Sequence, residues 1–150
     1  MNIALGCDHG GFQLKTIVLN QLQKWGHAVQ DCGAHTFVDE DDYPDYTVLV
    51  AKSIQDSKAQ RGIIICGSGI GASIAANKLH GIRAAICHDT FSARQGVEDD
   101  NMNVLCLGGR VIGQALALEV VKTFLEARFS GLARHQRRLD KVAEFERPNY

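Results

Sequence analysis

Five short apolar runs, each followed by a stretch with helical spacing, constrain this chain more than any other feature. The runs are "NIALGC" at 2–7, "HAVQDCG" at 27–33, "GIIICG" at 62–67, "IRAAICHD" at 82–89 and "NVLCLGG" at 103–109. Between and after them lie "FQLKTIVLNQLQKW" (12–25), which stops at Gly26, "YPDYTVLVAKSIQ" (43–55) with Pro44 in its first turn, and "GASIAANKLH" (71–80). A short "TFSARQGV" (90–97) and "GQALALEVVKTFLEARF" (113–129) complete the series. Proline at a first turn and glycine after a last one are ordinary helix boundaries. Strands that are apolar throughout must be covered on both faces, which argues for a parallel sheet between two layers of helices. The expectation is a three-layer, doubly wound α/β domain with strand order 2-1-3-4-5. A chain of 150 residues suits one domain. Residues 1–126 form the sheet unit, and 127–150 are left over as a C-terminal segment.

In such a sheet ligands bind beyond the carboxyl ends of the strands, where the winding reverses. The tips that meet there read Cys7-Asp8-His9-Gly10-Gly11 and Cys66-Gly67-Ser68-Gly69-Ile70-Gly71. A thiol on the lip of a glycine-rich turn admits several chemistries. The turn is neither G-x-x-x-x-G-K-[ST] nor a clean G-x-G-x-x-G, since position 72 is Ala and no lysine lies inside it. Glycines here satisfy a tight strand-to-helix turn in any case; functionally, their N–H groups can point at a negative oxygen. Cys66 can be a buried structural thiol or a thiolate favoured by a helix start. A phosphatase-type nucleophile would want Arg at position 72. Redox work prefers C-x-x-C, which is absent. Cys7, His9, Cys66 and His88 lack familiar zinc spacings, so no metal or other cofactor is expected. A thiol base beside an oxyanion site remains, which is the equipment for moving a proton α to a carbonyl.

Asp8 can cap the turn after the first strand, with His9 solvated, or both can touch a ligand. Trp25 reads as a core cap. In the C-terminal segment Leu132, Leu139, Val142 and Phe145 form an apolar stripe on a helix, with Arg134 and Arg138 one turn apart on another face. A helix left over once the sheet is covered needs a partner to pack on, so a homodimer is expected. The formal net charge of −1 offers nothing to nucleic acid or a membrane surface. No apolar run approaches the ~20 residues of a membrane helix. Five cysteines, most of them in apolar runs and without a preceding signal peptide, fit reduced thiols in the cytoplasm.

Several of these stretches together resemble the B-type ribose-5-phosphate isomerases, a group that also includes galactose- and allose-6-phosphate isomerases. They are "GCDHGGFQLK", "DYPDY", "ICGSGIGASIAANK", "GIRAAICHD", "NVLCLGGRVIG" and "RHQRR", spread over almost the whole chain. The resemblance implies a Rossmann-like homodimer with active sites between subunits, and leaves open a pairing into a dimer of dimers. It implies metal-free interconversion of ribose 5-phosphate and ribulose 5-phosphate. By position it makes Cys66 the base and Ser68 a catalytic hydroxyl, and it gives the enediolate hole to Gly67, Gly69 and Gly71. Asp8, His9 and Tyr43 match substrate-binding positions, and Arg110, Arg134 and Arg138 match phosphate ligands. The chain departs from the pattern at "VEDDNMNVL", where the family usually has a ring-opening His: Asp99 stands there, with Asp100 beside it at a substrate-binding position. Asp99 is expected to open the ring, with His88 or His9 as the other candidates. Two further readings stay open, an isomerase of a six-carbon aldose 6-phosphate and a non-catalytic phosphosugar-binding module.

Overall fold

The computed structural model describes residues 1–147. The chain runs β1 (Asn2–Cys7), a single 3-10 turn (His9–Gly11), α1 (Phe12–Lys24), β2 (Ala28–Asp31), α2 (Tyr43–Gln55), β3 (Arg61–Cys66) and α3 (Ile70–Ala76). It continues through β4 (Ala84–Ile86), α4 (Thr90–Asp100), β5 (Val104–Gly108), α5 (Gln114–Glu126) and α6 (Ala133–Glu144). The five strands pair in parallel throughout. Side chains alternate between the two faces as a pleat requires. Ile3, Leu5, Ile63, Ile65, Leu105 and Leu107 pack beneath α1, α4 and α5. Ala4, Ile64, Cys66 and Cys106 face α2 and α3 on the other side.

The strand order is β2-β1-β3-β5-β4, so the expected 2-1-3-4-5 is corrected at its far edge. Burial explains the exchange. β5, "VLCLG", is buried at every position, whereas the three residues of β4 are all half-buried. An edge needs little apolar cover and favours short strands; Val104, Leu105 and Leu107 need cover on both faces. The tips are level, with Cys7 opposite Ile65 and Cys66 opposite Gly108.

Two boundaries also bear on the site. α4 continues beyond Val97 to Asp100, so Asp99 and Asp100 belong to the last turn of a helix and not to a loop. α6 begins at Ala133, as the leftover segment suggested, and lies against α4. Residues 148–150 of that segment are outside the described part. Among the described residues no helix is long and apolar enough to cross a membrane.

Candidate active site

The corrected order sets β1, β3 and β5 side by side, and their three carboxyl tips converge. At the β1 tip, Asp8 is buried and its Oδ1 accepts the Gly11 N–H at 3.2 Å, so it does cap the turn. Burial pushes its pKa upward. His9 is half-buried and held by hydrogen bonds. Its backbone N–H donates to Asp41 Oδ1 at 2.8 Å, and ring Nδ1 lies 2.8 Å from the same oxygen. Tyr46, on α2, donates its hydroxyl to Asp41 Oδ2 at 2.9 Å. The bond to Asp41 raises the His9 pKa. Asp41 itself is held below the usual carboxylate range: burial opposes this, but the bonds from His9 and Tyr46 outweigh it.

The β1 turn lies against the β3 tip, for a Cβ on Gly10 would come within 2.7 Å of the Gly67 nitrogen. Cys66 is 4% exposed, and the Gly69 N–H points at its Sγ from 3.1 Å. Gly69 is left-handed, with φ 85°, which explains why glycine stands there. Ser68 Oγ accepts the Ile70 N–H at 3.3 Å. The other four thiols are pushed toward the neutral form by burial. Cys7 and Cys87 are raised to about 11, and Cys32 and Cys106 also move upward.

β5 contributes Arg110, whose backbone N–H donates to the Gly67 carbonyl at 3.0 Å and whose guanidinium covers Gly67. With β4 next to β3 this arginine would sit one strand too far away. His88 accepts the Gly108 N–H through Nε2 at 2.9 Å, a bond that ties it to the end of β5. The Tyr43 ring, at the start of α2, fills the space beside Gly71. Asp8, His9, Tyr43, Cys66, Gly67, Ser68, Gly69, Gly71 and Arg110 are therefore neighbours at the converging strand tips.

Asp99, Asp100, Arg134 and Arg138 do not join them. α4 starts beyond the carboxyl end of β4 and runs back to the amino-terminal edge of the sheet, a length of about 16 Å at 1.5 Å per residue. There Asp99 meets α6: its Oδ1 lies 3.5 Å from His135 Nδ1, and Gln95 donates to its Oδ2. His135 is buried. Its Nδ1 is 2.7 Å from Ser130 Oγ, and its Nε2 accepts the Arg134 Nε–H at 3.0 Å. Asp100 turns away toward a cavity of about 380 Å³ shared with Arg83 and Glu146, so the two carboxylates are not a facing pair. Arg134 and Arg138 are exposed. Asp41 and His135 are the residues that sequence reasoning passed over. Asp41 sits in the run Asp39-Glu40-Asp41-Asp42, which reads as a solvated acidic loop, and His135 was visible only inside "RHQRR".

The sequence profile described as Ribose/Galactose Isomerase matches residues 3–142. The chain belongs to the ribose/galactose isomerase family. As such it is an enzyme of the aldose–ketose isomerase type. It is 41% identical over 144 residues to the ribose-5-phosphate isomerase B of Escherichia coli, covering 96% of this chain and 95% of that one. It is 44% identical over 131 residues to the D-erythrulose-4-phosphate isomerase of Pectobacterium atrosepticum, covering 87% and 86%. The fold superposes with a TM-score of 0.93 on ribose-5-phosphate isomerase B from Mycoplasma genitalium with bound ribulose-5-phosphate, at 40% identity and over 99% and 97% of the two chains. The isomerase thus shares both sequence and fold with those proteins over nearly its full length.

Proposed function

We propose that this isomerase interconverts ribose 5-phosphate and ribulose 5-phosphate by proton transfer through an enediolate, with Cys66 as the base. The observation that carries the reading is the Cys66 sulfur at a strand tip, receiving the Gly69 N–H and facing the glycine turn. The Cys66 thiolate takes the proton from C2 of the open aldose, and the electron pair moves into the C1–C2 bond. Negative charge then develops on the C1 oxygen. Backbone groups of the Gly67–Gly71 turn and the Ser68 hydroxyl are set to receive it, and such preorganised donors are a large catalytic term. Returning the proton to C1, as one moves from the C2 hydroxyl to the C1 oxygen, gives the ketose. His9 and Arg110, at neighbouring tips, supply positive charge for the phosphate.

The converging tips and a second charged set about a helix length away favour a site shared by two protomers. The region of α6 supports this: Leu132, just before the helix, is 49% exposed and Val142, on it, is 47% exposed. A partner packed there would bring its Arg134, Arg138 and Asp99 to this Cys66.

A second reading concerns chain length of the substrate. Asp99 occupies the ring-opening position, and one relative is a D-erythrulose-4-phosphate isomerase. A four-carbon sugar 4-phosphate has hydroxyls only at the carbons adjacent to its carbonyl and phosphate ends, so it cannot close a furanose and needs no ring-opening group. The test is direct incubation with ribose 5-phosphate and with D-erythrulose 4-phosphate, following the carbonyl product. Turnover of either that falls about 10²- to 10⁴-fold in Cys66→Ala is the expected result. Turnover in Cys66→Ala within twofold of wild type would remove the thiol from the mechanism, and no turnover of any sugar phosphate would remove the isomerase reading.

A further inference from the structure

We propose that Asp41 is a positioning residue for the anion end of the substrate: it fixes the His9 ring by Nδ1, so that Nε2 is presented to the phosphate. The inference deepens the sugar-phosphate reading and rests on it for the identity of the ligand.

The geometry is that of a built support. One oxygen of Asp41 takes both the His9 backbone N–H and ring Nδ1 at 2.8 Å, which fixes the position of the residue and the rotation of its ring. The other oxygen takes the Tyr46 hydroxyl at 2.9 Å, and the carboxylate side chain is 9% exposed. Three contacts thus reach the Asp41 carboxylate, two of them from His9 and one from Tyr46. A ring nitrogen engaged in this way sets the protonation of the other one. With Nδ1 donating to a carboxylate, Nε2 is left for a ligand.

The charges around the ring work in two directions. Asp41, from the loop before α2, and Asp8, beside His9 in the turn, both favour the cation; Arg110, from the β5 tip, and partial burial oppose it. Asp41 makes the largest contribution and the balance lies on the cationic side. Arg110 is near enough to oppose charge on His9, and two cationic groups at neighbouring tips suit a dianionic ligand. Without Asp41 the ring would lose its proton beside a permanent guanidinium, and one of the two charges would go.

The sign follows. His9 is raised, so its charge is present at low pH and is lost as pH rises through the raised value; anion affinity follows the same course. Asp41→Asn keeps the shape and removes the charge, so the loss begins at lower pH. The test reads the His9 imidazole by NMR titration in wild type and Asp41→Asn, and titrates inorganic phosphate into both at matched pH, so that the anion's own protonation cancels in the ratio. His9 is expected to titrate above the ordinary ~6.5 in wild type and lower in the variant. Phosphate affinity should fall about tenfold in Asp41→Asn in the window between the two values, and turnover should suffer mainly through KM. The proposal is overturned if wild-type His9 titrates at or below the ordinary value, a result that needs no variant. It is equally overturned if Asp41→Asn leaves the His9 titration unchanged, or if it lowers phosphate affinity by the same factor at every pH. None of these readouts requires catalysis, so failure to isomerise a sugar would count against the function and not against this pair.

Discussion

The proposed proton transfer rests on Cys66 and the proposed ring opening on Asp99, and their surroundings differ sharply. The Cys66 sulfur is enclosed, with a backbone N–H aimed at it. The Asp99 carboxylate is half-buried, held by Gln95 and facing His135. An ordinary carboxylate is a weak base at neutral pH. Ser130 and Arg134 occupy both ring nitrogens of His135. Asp99→Asn removes proton transfer at this oxygen and keeps its size. It is expected to slow turnover of ribose 5-phosphate while leaving a four-carbon sugar phosphate far less affected. Equal slowing of both substrates would assign Asp99 a role in binding or folding, and wild-type rates on ribose 5-phosphate would place ring opening elsewhere. His88 is then the residue to test, since it lies at the end of β4 and is bonded to β5 beside the converging tips.

At the scale of elements, α6 decides whether the site is completed by a second chain. It has one buried side chain, His135, which spends its hydrogen bonds inside the protomer. Its arginines and apolar residues face outward. Mixing Cys66→Ala with Arg134→Ala under conditions of subunit exchange is expected to restore activity that neither variant has alone, because one heterodimer site regains both parts. No recovery after proven exchange contradicts a shared site. How far these elements were legible follows from the same physics. α2 was read to both ends because Pro44 starts it and polar residues after Gln55 stop it. The order of β4 and β5 was not legible. Both are apolar runs, and only three-dimensional burial tells which of "AAI" and "VLCLG" can occupy an edge. The short helix expected over 90–97 runs on to Asp100; Gly96, which both spans include, gives room to Met102. Asp41 escaped because its partner lies 32 residues away, beyond any local pattern.

For the whole molecule, the sheet's winding is what makes the site. Parallel pairing of β1, β3 and β5 brings three tips to one level, and each tip delivers a different need: His9 with its support, the thiol with its turn, and Arg110. Those positions were readable as motifs because each tip is a short contiguous stretch. Their convergence was inferred from the fold class, and Arg110 gained its place beside Gly67 only through the corrected order. The proposed mechanism asks one event of this arrangement, a proton leaving C2 and arriving at C1 by way of Cys66. The most direct measurement is to run the reaction from ribose 5-phosphate in D2O and locate the label in the ribulose 5-phosphate by NMR. Deuterium at C1 of the product, formed by wild type and lost together with turnover in Cys66→Ala, is the result this account predicts. Turnover by Cys66→Ala at the wild-type rate, with the same deuterium content at C1 as wild type, would contradict it.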